Sequence, residues 1–127
     1  MSAHSDLVTD FCNAWPEMDL DKIMGFFSED AVYTNIPIDP PNRGVEAIRK
    51  TIEGFLGMAE KIEFRVHHQT ESAGGVVMTE RTDRFLVKER WAEAPVMGVF
   101  EVRDGKIVAW RDYFDMAMFM KEFEGGS

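Results

Sequence analysis

Apolar positions along the chain follow two periods. Over the first sixty residues they recur at spacings of three and four, the repeat of a helix with one buried face. Leu7, Val8, Phe11 and Cys12 form such a stripe, predicting a helix from a cap at Ser5 to about Trp15, where Pro16 ends it. Asp19 caps a second short helix expected over 20–27. Val45, Ile48, Ile52, Phe55 and Leu56 predict a third over 45–58, with Gly54 and Gly57 weakening its last turn. Between them, 31–36 is β-branched and aromatic and reads as a strand, and Pro37, Pro40, Pro41, Asn42 and Gly44 mark a loop.

Beyond residue 60 the period drops to two. Ile62, Phe64, Val66 and His68 alternate with Glu63, Arg65 and His67, which puts His68 on an apolar face. Gly74-Gly75 turns the chain into a strand over 76–88. Further strands are expected over 96–102 and 107–114, joined at Asp104-Gly105. A short helix over 116–123 closes the pattern, and Glu124-Gly125-Gly126-Ser127 reads as a frayed tail. Helices followed by long antiparallel strands describe an α+β fold in one domain over 1–127. The sheet is expected to be mixed, mostly antiparallel and strongly curved. Wrapped by the N-terminal helices, it forms a cone with an interior pocket.

Two strands break the apolar pattern with charge. One face of 76–88 carries Val77, Thr79, Arg81, Asp83, Phe85 and Val87, apolar at both ends and ionic in the middle. The other face carries Met78, Glu80, Thr82, Arg84 and Lys88 and reads as solvated. In the last strand Val108, Trp110, Asp112 and Phe114 share a face, again with a carboxylate in an apolar row. Tyr33 and Asn35, two apart on the first strand, can point at one spot. Buried charges are costly unless paired. A structural ion network within the sheet is one reading, and acids held in an apolar pocket beside a cation is the other.

Composition narrows the functions. With 14 basic against 23 acidic residues the net charge is −9, which disfavours nucleic acid and anionic membrane surfaces as partners. No apolar run approaches the ~20 residues of a membrane span. The N-terminus lacks the basic start and apolar core of a secretory leader, so a cytoplasmic protein is expected. The single Cys12 excludes an internal disulfide and a cysteine metal cage, and His4, His67 and His68 show no metal-ligand spacing. Nine methionines suit adaptable apolar packing, some of it around a nonpolar ligand. There is no serine-hydrolase elbow, P-loop or dinucleotide fingerprint.

Five segments carry a more specific signal: Phe26-Phe27-Ser28-Glu29-Asp30, Tyr33-Thr34-Asn35, Thr79-Glu80-Arg81-Thr82-Asp83, Gly98-Val99-Phe100 and Trp110-Arg111-Asp112-Tyr113-Phe114-Asp115. In their order and spacing the chain resembles the limonene-1,2-epoxide hydrolase family, within the broad group of nuclear-transport-factor-2-like (SnoaL-like) cone folds. The resemblance implies five catalytic positions, Tyr33, Asn35, Arg81, Asp83 and Asp112. It implies that Asp112, Tyr33 and Asn35 hold a water, that Asp83 protonates the epoxide oxygen, and that Arg81 bridges the two aspartates. It also implies a homodimer.

This chemistry agrees with the residue pattern. Opening an epoxide requires a water to lose a proton as the leaving oxygen gains one, and one ionised plus one neutral carboxyl can do both. The expectation is a one-step hydrolase acting on a small, mostly apolar epoxide without metal or cofactor. Two alternatives stand beside it. A ketosteroid-isomerase-like or polyketide-cyclase-like enzyme of the same fold would not need Tyr33 and Asn35 to position a water. A noncatalytic module for apolar ligands would not need two buried aspartates.

Overall fold

The structure, a computed structural model, describes residues 2–124; of the expected tail, 125–127 lie outside the described residues and Glu124 ends the last helix instead. The helix α1 spans Ala3–Ala14 and buries Val8, Phe11, Cys12 and Ala14. Its cap is Ser2 rather than Ser5: the Ser2 hydroxyl accepts the Ser5 amide at 3.0 Å, which places Ser5 in the first turn. A 3₁₀ turn over Trp15–Glu17, with Pro16 inside it, follows directly. The helix α2 covers Leu20–Met24 with Asp19 as its cap, and it stops short of the expected 20–27. The reason lies in the sheet: the Phe26 carbonyl accepts the Ile107 amide at 2.8 Å, and Phe27 opens the first strand. The helix α3 occupies Val45–Met58, the expected range, and buries Ile48 and Ile52.

The six strands are β1 (Phe27–Asn35), β2 (Asn42–Arg43), β3 (Lys61–Glu71), β4 (Val77–Val87), β5 (Arg90–Arg103) and β6 (Lys106–Tyr113). The helix α4 (Met116–Glu124) ends the described chain. One sheet holds all six in the order β2-β1-β6-β5-β4-β3. Only β1 and β6 run parallel, and the other neighbours are antiparallel. Among the described residues no helix is long and apolar enough to cross a membrane.

Three expectations fail for local reasons. The fifth strand starts at Arg90, well before residue 96. Ala92, Ala94, Val96, Gly98 and Phe100 alternate inward along it, but Ala, Glu and Pro have low strand propensity and mask the pattern. Pro95 is tolerated because the β5–β6 ladder ends at Met97–Tyr113, so no β6 partner needs its missing N–H. His68 is solvent-exposed because the β3–β4 register shifts between Val66 and His68, and Val66, still paired with Arg81 ahead of the shift, is exposed on this edge strand. Val108 is only half-buried: between Glu101–Ala109 and Val102–Ile107 the β5–β6 ladder shifts, and Ile107 takes the inward place. Trp110 and Asp112 lie beyond that shift and stay buried, whereas Phe114, just past the strand, is half-buried.

The core is aromatic. Phe11 packs edge-on against Trp15, Phe27, Phe100 and Trp110, tying α1 to the inner face of the sheet. The alternation expected of β4 holds from Val77 to Phe85, with Val77, Thr79, Arg81, Asp83 and Phe85 buried, while Val87 at the strand end is only half-buried. Three polar groups therefore point into that same interior.

Candidate active site

Strand register assembles the polar groups. Asn35 on β1 lies beside Asp112 on β6, Asp112 beside Gly98 on β5, and Gly98 beside Thr79 on β4. Two positions further along, on the same face, Tyr33 lies beside Trp110. Arg81 and Asp83 continue from Thr79 on the same face of β4. All five residues expected at the site are thus brought to one place, each at most 7% exposed.

Arg81 is the hub. Its Nε donates to Asp83 Oδ1 at 2.9 Å, and Nη2 donates to Asp83 Oδ2 and to Asp112 Oδ2, both at 2.8 Å. Nη1 donates to Asp112 Oδ1 at 3.1 Å and Thr79 Oγ1 at 3.3 Å. These five contacts match the five N–H groups of a guanidinium, so the buried cation is fully satisfied. Phe64 packs beneath it, 4.7 Å from ring centroid to Cζ.

The space for this arrangement comes from Gly98. A Cβ there would overlap Arg81 Nη1 and approach Asp112 Oδ1 and Thr79 Oγ1 to 2.9 Å each. Two further contacts complete the cluster. The Trp110 indole N–H donates to Asp112 Oδ1 at 2.7 Å, and the Tyr33 hydroxyl donates to Asn35 Oδ1 at 3.1 Å. The Tyr33 and Trp110 rings stack face to face at 4.0 Å.

Charge follows from burial. Asp83 is pushed up to about 6, first by burial and then by the Asp112 charge, with Arg81 opposing both. Burial alone would weaken the Arg81 cation, but Asp112 and Asp83 outweigh it and hold the guanidinium charged. Tyr33 is raised well above the ordinary phenol range, by burial and then by Asp112, and stays neutral. Raising Asp83 limits the negative charge that the buried Arg81 guanidinium has to balance in a dry interior.

Asp83, Asp112, Tyr33 and Asn35 line a pocket whose remaining wall is apolar, including Trp15, Phe55, Phe64, Phe85, Val96 and Phe119. The empty space of the pocket, its open mouth included, is about 480 Å³. Residue patterns along a single strand could not reveal the role of Gly98, which depends on the strands beside it, whereas the Thr79–Arg81 and Trp110–Asp112 contacts each join residues two apart on one strand and face. Among the described residues, no group of three His, Cys, Asp or Glu side chains is arranged to hold a metal ion.

A buried Asp–Arg–Asp bridge beside a Tyr–Asn pair, inside an α+β cone, defines a class of pocket enzyme, and comparison with known proteins identifies it. The family model for the limonene-1,2-epoxide hydrolase catalytic domain matches residues 2–124. The chain belongs to the limonene-1,2-epoxide hydrolase family. It is 34% identical to the epoxide hydrolase EphG of Mycobacterium tuberculosis over 108 residues, which is 84% of this chain and 69% of that protein. An M. tuberculosis epoxide hydrolase structure of the same type superposes with a TM-score of 0.79 at 31% identity, covering 98% of this chain and 91% of the other. The epoxide hydrolase/cyclase-like enzyme SalBIII superposes with a TM-score of 0.80 at 20% identity, covering 90% and 92%, and shares the fold.

Proposed function

We propose that this protein is a cofactor-independent epoxide hydrolase that adds water to a small, mostly apolar epoxide in one step, giving a vicinal diol. The observation that carries the reading is Arg81 bridging Asp83 and Asp112 in a pocket with few other polar groups. Family membership and the EphG likeness support it.

In this reading Asp112 is the base. Asn35 accepts the Tyr33 hydroxyl through Oδ1, which leaves its amide N–H groups free to donate to a water. The Tyr33 oxygen and Asp112 can each accept one water proton, leaving a lone pair on the water for carbon. As that lone pair forms the new C–O bond, the water proton passes to Asp112, the epoxide C–O bond breaks, and Asp83 gives its proton to the departing oxygen. The cluster keeps its net charge throughout, because one proton has moved in at Asp112 and one out at Asp83. Arg81 contacts both acids and stabilises either distribution. That proton must return to Asp83 before the next turnover. Ring strain supplies the driving force.

An isomerase-like or cyclase-like reading leaves the Tyr33–Asn35 pair without a task. A simple apolar-ligand carrier has no need of Arg81 and its two acids. The same proposal places one domain in the cytoplasm as a homodimer. Met78, Met97 and Tyr113 are exposed on the outer face of the sheet, where Met97 and Tyr113 are direct cross-strand partners and offer an apolar patch. A diol-formation assay over cyclic and aryl epoxides, run beside Asp112→Asn, tests the activity. Conversion by the native chain and its loss in the variant are expected; no conversion of any epoxide would overturn the reading.

A further inference from the structure

Asp112 has two oxygens in unequal circumstances. Oδ1 accepts from Arg81 Nη1 and from the Trp110 indole N–H, whereas Oδ2 accepts only from Arg81 Nη2. A carboxylate oxygen offers about two lone-pair sites. Oδ1 is therefore full, and Oδ2 keeps one site open. The Trp110 bond is the shorter of the two at Oδ1, 2.7 Å against 3.1 Å. Trp110 is itself fixed, fully buried and stacked between Tyr33 at 4.0 Å and Phe100 at 5.6 Å.

We propose that Trp110 is a positioning residue: its indole N–H occupies Asp112 Oδ1, so that Oδ2 alone acts as the base, while its ring face sets the plane of Tyr33 on the opposite side of the water. Trp110 is thereby joined to two of the three groups proposed to hold the water, without touching substrate. This inference rests on the epoxide hydrolase reading for its kinetic consequence, but the hydrogen bond can be read without it.

A donor to the ionised carboxylate favours that form, so removing it makes the base easier to protonate. The other titratable groups around Asp112 are Arg81 and Asp83 on β4, Tyr33 on β1 and Cys12 on α1. Cys12 is pushed up to about 12 by burial and does not titrate in the range of interest. The readout is therefore a movement of the acid limb of the pH–rate profile between the native chain and the variant.

The test uses two replacements in the full chain: Trp110→Phe, and 3-benzothienylalanine at position 110, which keeps the bicyclic ring and the stack but puts sulfur where the N–H was. Two signals are read, the pH profile of kcat/KM and the indole ¹H–¹⁵N resonance of Trp110 in the native chain and in Asp112→Asn. The expected result is a roughly 10- to 100-fold fall in kcat/KM, the scale of one hydrogen bond to a charged group. It comes with an acid limb moved to higher pH and an unchanged affinity for a nonreactive diol or amide inhibitor. The native indole proton should lie downfield and move upfield in Asp112→Asn. An isosteric variant with native rate and native acid limb would overturn the proposal. So would a rate loss with an unmoved limb and a matching loss of inhibitor affinity, which marks a packing role. If the native chain opens no epoxide, the proposed function fails, and the indole resonance alone decides whether Trp110 holds Asp112.

Discussion

Arg81 on β4 reaches Asp112 on β6 across an entire intervening strand, and it does so over Gly98. Strands two apart are separated by ~9.6 Å. The guanidinium spans that gap only because β5 presents no side chain there. The ionic bridge is thus written on three strands: a long cation, a missing Cβ and a short acid.

Gly98→Ala should break the bridge. Gly98 shows no left-handed backbone, so the cost is steric, from overlap with Arg81 Nη1 and crowding of Asp112. Overpacking of this kind typically costs ~1–3 kcal/mol. Thermal unfolding should report that loss, and turnover should fall by more than tenfold because the two acids lose their common donor. Native stability together with native turnover would mean the bridge is not needed.

Arg81→Met should be more damaging than removing the whole cluster. It leaves two buried acids without their cation, and breaking a buried pair from one side costs ~3–5 kcal/mol. Arg81→Met combined with Asp83→Leu and Asp112→Asn should recover most of that stability and none of the activity. Urea unfolding of the single and triple variants checks the order.

Asp83 gives the pH dependence a sign. Its folded value of about 6 lies above the ordinary 3.8, so the folded chain holds this proton more tightly than the unfolded one. Its stabilising contribution is full below about pH 4 and is lost as pH rises through about 6. The stability difference between the native chain and Asp83→Asn should shrink across that window. Turnover should decline over the same upper part, as the acid loses its proton. A native-minus-variant difference that stays flat from pH 4 to 7 would contradict the shift.

Much of this site was legible along the chain. Thr79, Arg81 and Asp83 stood out because β4 alternates without interruption from Val77 to Phe85, so period two maps directly onto two faces there. Tyr33 and Asn35 share a face for the same reason. Where a ladder shifts register, the period misleads: the break between Val66 and His68 turns His68 outward, and the one beside Val108 gives the inward place to Ile107. Gly98 falls in a segment that matches the family, but its role is not written on β5 itself, since it lies in what its neighbours on β4 and β6 send across it. Ser2 rather than Ser5 caps α1 because a serine at each position suits a cap, and only the actual path of the chain distinguishes them.

Tyr33→Phe tests the water site apart from the acids. The ring and its stack on Trp110 remain, but the hydroxyl that donates to Asn35 is lost. Stability should change little beyond ~1 kcal/mol, and turnover should fall roughly tenfold or more. Steady-state kinetics on a substrate identified in the epoxide panel checks this.

The central claim is direct attack by a water held between Tyr33, Asn35 and Asp112, with Asp83 as the acid. A single turnover in ¹⁸O-labelled water, with enzyme in excess over epoxide, tests it most directly. The expected result is label in the diol of that first turnover and none in the protein. Unlabelled diol in the first turnover, with ¹⁸O in the carboxyl of Asp112 or Asp83, would show an aspartyl ester and contradict it.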